Sequence, residues 1–283
     1  MESSNRGTKF LVICTCFPPI RRILSFTLTS TLVEVVSLSI ETLEELNMTK
    51  FAFVTGANKG IGYEIVHQLA EKNYHVFLGA RNEELGQKAV ESLGFSNVSF
   101  VQVDISDTQS IQNSKNKILE VTDHLDLLIN NAGIALDFGI LPSELKLETL
   151  RKEFDVNFFG TFQMIQTFLP LVKKSQGGKI INVTTDMASQ TMFDNGETGP
   201  LNILGYNSSK TAVNSLTLAF GKEFGTNGPE ILGVTPGFTT TDLNGNAQGG
   251  KTPAEGAQII VKYALSETNY NGKILNKNGI IPW

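Results

Sequence analysis

The feature that most constrains this chain is an apolar run ending abruptly in a glycine-rich turn. Phe51-Ala52-Phe53-Val54 leads into Thr55-Gly56-Ala57-Asn58-Lys59-Gly60-Ile61-Gly62, after which Ile61, Ile65, Val66, Leu69 and Ala70 recur at helical spacing. A short continuous apolar segment is the pattern of a strand buried on both faces, as in a parallel sheet covered by helices. Strand, glycine turn and helix in direct succession aim the free N–H groups of the helix at whatever binds beyond the strand, and a pyrophosphate suits that position. Gly56 then serves the tight turn, Gly60 the close approach of backbone to phosphate, and Gly62 the packing of helix on strand. Asn58, Lys59 and Ile61 complete the loop.

The alternation continues along the chain. His75 to Leu78, Val98 to Val103, Leu125 to Ile129, Lys179 to Val183 and Ile231 to Val234 read as five further strands, with helical patterns between them. Strands alternating with helices imply right-handed crossovers, so the expected fold is α/β: a single doubly wound, Rossmann-like parallel sheet with helices on both faces. No repeat or low-complexity linker interrupts residues 48–283, which are read as one domain. A hydrophobic fraction of 41% supplies its core. The net charge of −5 argues against nucleic acid or an anionic membrane surface as partner. Two cysteines, Cys14 and Cys16, exclude a disulfide scaffold or Cys-rich zinc module, and His67, His75 and His124 show no metal-ligand spacing.

Residues 1–47 read as an add-on. They are rich in Ser and Thr, and up to Val33 they carry Arg6, Lys9, Arg21 and Arg22 against Glu2 alone. That composition fits an organelle transit peptide, and a disordered or mis-assigned start ahead of Met48 is the other reading. The apolar run Phe10 to Phe17 is too short to span a bilayer. A cytoplasmic location is expected, or an organelle if the extension directs it.

Ligands of open α/β sheets bind beyond the carboxyl ends of the strands, and the residues there are informative. The second strand ends Leu78-Gly79-Ala80-Arg81-Asn82, without the acidic residue that would take a ribose 2′-hydroxyl. Arg81 and Lys59 instead favour a 2′-phosphate, hence NADP(H), although two solvated surface cations would read the same way. Asp104 ends the third strand, followed by Ile105, and is placed to accept from an adenine amino group. Asn131, Ala132 and Gly133 follow the fourth strand, where small turn-forming residues suit backbone lying under a cofactor.

Tyr206-Asn207-Ser208-Ser209-Lys210 opens a helical pattern that sets Tyr206 and Lys210 on one face. A phenol of pKa about 10 is a poor acid–base catalyst near neutrality, and an adjacent ammonium is expected to lower it. With the glycine loop, Asn130 to Gly133, Asn157 and Pro236-Gly237 in this order and approximate spacing, the chain from about Thr49 to Trp283 resembles the short-chain dehydrogenase/reductase family. Its wording at Thr55 to Gly62 and Leu78 to Arg81 is similar to that of the NADPH-dependent carbonyl reductases.

The resemblance implies roles. Tyr206 would give a proton to the substrate oxygen as hydride leaves the nicotinamide, Lys210 would hold the ribose hydroxyls, and Asn157 would position a relaying water. Pro236, Gly237, Thr239 and Thr241 would contact the nicotinamide amide and phosphates. One position departs: Thr185 stands where the family has a substrate-orienting serine, keeping the hydroxyl but adding a methyl that stiffens χ1. The expected activity is reduction of a ketone, aldehyde or quinone by NADPH. The reverse oxidation of an alcohol or hydroxysteroid, and a non-catalytic dinucleotide-binding regulator, are the alternatives. The segment Ser189 to Gly205 is expected to shape the substrate mouth or cover an edge. The protein is expected to be a homodimer, paired through the Asn157 and Tyr206 helices, or a monomer, since core packing explains Phe158-Phe159 and Leu216 to Leu218 equally well.

Overall fold

Residues 49–283 are described by the computed structural model, so both readings of residues 1–47 concern residues outside those described. Each of the six apolar runs forms a strand: β1 (Lys50–Thr55), β2 (Tyr74–Ala80), β3 (Val98–Gln102), β4 (Leu127–Asn130), β5 (Lys179–Val183) and β6 (Glu230–Val234). Two short strands that the sequence did not reveal follow, β7 (Ile274–Asn276) and β8 (Gly279–Ile280). At three and two residues they are too brief to show an alternation of their own. The order across the sheet is β3-β2-β1-β4-β5-β6-β7-β8, parallel throughout except for β8, which turns back antiparallel on β7.

Helices α1 (Gly60–Ala70), α2 (Glu83–Leu93) and α8 (Pro253–Ala264) pack on one face. On the other lie α3 (Thr108–Leu119), α5 (Thr161–Val172) and α7 (Leu204–Phe224). Two shorter helices, α4 (Leu147–Phe154) and α6 (Gln190–Asp194), flank the strand ends. Successive β1 residues divide between the faces: Ala52 and Val54 join Ile65, Leu69 and Ile260, whereas Phe51 and Phe53 join Phe77, Met164 and Phe168. Each of the larger side chains among them, fully buried, contributes roughly 1.5–3 kcal/mol of transfer free energy, which is why continuous apolar strands are tolerable only inside this sandwich.

Helix starts are signalled locally. Asn82 Oδ1 accepts from the Leu85 N–H at 2.9 Å, Asp107 Oδ1 from the Gln109 N–H at 2.9 Å, and Thr252 and Glu255 form a reciprocal box ahead of α8. Beneath the strand ends, Asn130 Nδ2 donates to Asn182 Oδ1 at 2.9 Å, and Asn182 Nδ2 donates to Thr217 Oγ1 at 2.9 Å. This buried polar chain ties β4 and β5 to α7. No helix among the described residues is long and apolar enough to cross a membrane.

Candidate active site

The glycine loop is a cradle held open from below. Gly56 and Gly60 lie in the left-handed region at φ +64° and +59°. A Cβ on Gly62 would come 2.5 Å from both Gly56 O and Asn131 Nδ2, so only glycine fits there. Asn131 Nδ2 donates to Thr55 O and Gly56 O at 2.9 and 3.1 Å, while Thr55 Oγ1 accepts from the N–H groups of Asn131 and Ala132, both at 3.1 Å. The Asn131 side chain therefore shapes the loop, and Ala132 stacks beneath Gly56. Lys59 precedes α1 without giving it a side-chain cap. The first N–H groups of that helix are thus available to an anion, and the residues present fit a dinucleotide pyrophosphate.

The two cations read from the sequence have carboxylate neighbours. Lys59 Nζ lies 2.7 Å from Asp242 Oδ2, and Arg81 Nε lies 4.0 Å from Asp104 Oδ2, with both basic side chains largely exposed. Asp104 Oδ1 accepts from the N–H and hydroxyl of Ser106 at 3.0 and 2.6 Å. Ile105 is buried, its carbonyl packed where a Cβ on Gly160 would lie.

At the ends of β4 and β5 the polar residues converge. Asn157 is fully buried in a π-helical turn, Asp155–Gly160. Its Oδ1 accepts from the Ile134 N–H at 2.8 Å, and its Nδ2 donates to Ile134 O at 2.8 Å and Ser209 Oγ at 3.0 Å. Both Nδ2 hydrogens of Asn157 are thus used, and its backbone carbonyl accepts from Thr161 Oγ1 at 2.7 Å. A Cβ on Gly133 would lie 3.1 Å from Asn157 Oδ1 and 3.3 Å from Lys210 Nζ, so the missing side chain lets both groups approach this strand end. Thr184 is buried against Asn214, whereas Thr185 is half-buried with Oγ1 accepting from the Met187 N–H at 3.3 Å. Thr185 is thus the reachable hydroxyl of the two.

Electrostatics differ from the expectation for Tyr206. Burial, and then the charge of Glu153, push its phenol above the usual value rather than below it. Burial pulls the Lys210 ammonium down to about 8, and its Nζ donates to Val183 O at 2.8 Å. Spacing along one helix could not show that a carboxylate from another element faces the phenol. Glu153 is fully buried on α4, four residues before Asn157, and that spacing was the one available signal.

The loop after β6 closes the other side. Gly237 is left-handed at φ +69° and follows Pro236, whose carbonyl accepts from Lys251 Nζ at 3.0 Å. Thr239 is buried, with Oγ1 donating to Gly237 O at 3.1 Å. Thr241 reaches the glycine loop, its Cγ2 lying 3.7 Å from where a Cβ on Gly60 would be. Asp186, next to Thr185, has its carboxyl pushed up by burial against the opposing effects of Thr235, Asn276 and Lys251. Sequence reasoning passed over both Asp186 and Lys251.

Comparison with known proteins agrees with this fold. Residues 50–251 match the family model for short chain dehydrogenase. The short-chain dehydrogenase/reductase tropE of Talaromyces stipitatus is 31% identical over 263 residues, covering 83% of this chain and 97% of that protein. Carbonyl reductase 1 (NADPH) of Mus musculus is 30% identical over 276 residues, covering 82% and 98%. The NADPH-bound carbonyl reductase from chicken fatty liver superposes with a TM-score of 0.74 at 27% identity, over 83% of this chain and 99% of that chain. Glycine cradle, Asn157 turn and Tyr206–Lys210 helix thus stand on a Rossmann-like sheet of shared architecture, and the chain belongs to the short-chain dehydrogenase/reductase family of oxidoreductases.

Proposed function

We propose that this protein reduces a ketone, aldehyde or quinone with NADPH. The observation that carries the reading is the convergence across Gly133 of Asn157, from its π turn, and Lys210, from the helix that bears Tyr206, beside the glycine cradle. The first-turn N–H groups of α1 would hold the pyrophosphate, with Gly56, Gly60 and Gly62 keeping side chains out of its way. When bound, the reduced nicotinamide supplies the hydride that reduces the carbonyl carbon.

The chain's own residues do the rest. Tyr206 donates its proton to the substrate oxygen, and a phenol pushed upward stays protonated at neutral pH, which suits the acid of a reduction. Thr185 Oγ1 orients that oxygen. Lys210 Nζ holds ribose hydroxyls with a charge that is largely retained below about pH 8. The Asn157 carbonyl, set by the π turn, takes the water through which Tyr206 is reprotonated. Arg81 and Lys59 favour a 2′-phosphate, because no carboxylate ends β2 to take a ribose hydroxyl. The carbonyl reductases among the relatives support the same substrate class.

The test is NADPH and NADH oxidation against a carbonyl panel. Tyr206→Phe should lower kcat by roughly 10²–10⁴-fold, the usual worth of general-acid catalysis, while NADPH binding stays within about twofold. Arg81→Ala should raise KM for NADPH by about tenfold or more, the worth of a charge-assisted hydrogen bond, and leave NADH unaffected. Undiminished turnover by Y206F would overturn the assignment, and equal losses with both cofactors would remove the argument for NADP.

A further inference from the structure

Two acidic side chains beside Tyr206 take part in none of these steps. Asp137, in the loop after β4, and Glu153, on α4, are both fully buried. Asp137 Oδ2 accepts from the Gly205 N–H at 2.6 Å, and Glu153 Oε1 accepts from the Leu136 N–H at 2.6 Å. Gly205 is in the first turn of α7, whose N-cap residue, Ile203, has no acceptor to offer. Asp137 therefore caps from a distance the helix that carries Tyr206. Glu153 reaches the same turn: a Cβ on Gly205 would collide with its Oε2. The same Cβ would lie 3.3 Å from Asp137 Oδ2, so the two carboxyl groups crowd one point beneath the turn, and Glu153 Oε2 and Asp137 Oδ1 have no hydrogen-bond partner.

Two carboxylates this close, out of water, cannot both be ionised at little cost without a cation to compensate them. Among the described residues no cation is paired with either. On α4, Glu148, Arg151 and Lys152 are exposed, as is Asp155 in the π turn that follows, and the titratable groups in the first turns of α7 are Tyr206 and Lys210, the latter bonded to Val183 O. One proton held by the pair would remove one of the two buried charges and give an unpartnered oxygen a hydrogen to share. We propose that Glu153 and Asp137 are positioning residues for Tyr206, sharing one proton and clamping the first turn of its helix while that proton is held. This rests on the assignment of Tyr206 as the acid. Burial, and the neighbouring Asp137, push the Glu153 carboxyl up to about 7. Losing the proton sets two adjacent charges beneath one helical turn and adds to the charge that Tyr206 already opposes.

The proton should be visible without turnover. A carboxyl raised in the folded state holds a proton that the unfolded chain has released, so its stabilisation is complete below the ordinary carboxylate range and lost as pH rises through about 7. Melting temperatures of the full chain and of Glu153→Gln, from about pH 5 to about pH 8, should show the wild type falling relative to the variant. A protonated-carboxyl infrared band should vanish over the same range in the wild type and be missing from E153Q. Asp137→Asn, which can donate to Glu153 and leave it ionised, should shift that titration down by about one pH unit or more. In turnover, wild-type kcat should fall about threefold or more between pH 6 and pH 8, beyond any fall in E153Q.

Parallel melting curves for wild type and E153Q, or the lack of the infrared band, would overturn the shared proton. A band that titrates while the kcat profiles of wild type and E153Q coincide would overturn the positioning role. Failure of the Tyr206 assignment would appear separately, as full activity in Y206F.

Discussion

Lys59 and Asp242 meet across the mouth of the glycine cradle, one at the start of α1 and the other beyond β6. Asp242 is held below its usual range chiefly by the hydrogen bond from Lys59, with Asn246 adding to it. Both side chains are well exposed, so the pair contributes little to folding. Its consequence falls on binding, because a Lys59 engaged by Asp242 is less available to a phosphate. Asp242→Asn should therefore tighten NADPH binding several-fold in dilute buffer, with unchanged melting temperature. The gain should shrink as salt screens the exposed charges over about 10 Å at 0.1 M. Fluorescence titration of NADPH measures this, and weaker binding by D242N would mean that Asp242 instead aims Lys59 at the phosphate. The sequence brought Lys59 into view through its place in the glycine loop. Asp242, 183 residues away along the chain, carried no such mark.

Among the elements, α2 shows how packing overrules propensity. Gly86 lies inside this helix, where alanine would ordinarily gain about 1 kcal/mol. A Cβ at Gly86 would collide with the Phe100 ring on β3, and overpacking of that kind costs about 1–3 kcal/mol. Gly86→Ala should thus be destabilising in urea unfolding, with Phe100→Leu restoring part of the loss; a more stable G86A would show that the ring moves aside freely. The boundaries of α2 were written locally, in Asn82 at its start and in Gly94 at φ +70° after its end. The π-helical turn at Asp155–Gly160 was not, since nothing in Asp155-Val156-Asn157-Phe158-Phe159-Gly160 departs from an ordinary helical pattern. It arises because Asn157 bonds to Ile134 on both sides of its amide and draws the helix towards the strand end.

Across the whole molecule, the last residues return to the site. Ser189 Oγ donates to Pro282 O at 2.7 Å, and the Thr191 N–H donates to Trp283 O at 2.7 Å. The segment beyond Thr185 is therefore held by the tail that β7 and β8 deliver. Deleting Pro282-Trp283 should raise KM for the carbonyl more than KM for NADPH, and should expose the 189–205 region to limited proteolysis. An unchanged proteolytic pattern would show that α6 keeps its place unaided.

The sequence by itself determined the βαβ alternation, the glycine cradle and the pairing of Tyr206 with Lys210, because each is written within one strand, loop or helical turn. The tertiary structure alone decided the state of those groups. Tyr206 faces Glu153, Asp137 caps a helix through Gly205, 68 residues further on, and Lys59 meets Asp242, since burial and charge act through space between elements remote along the chain.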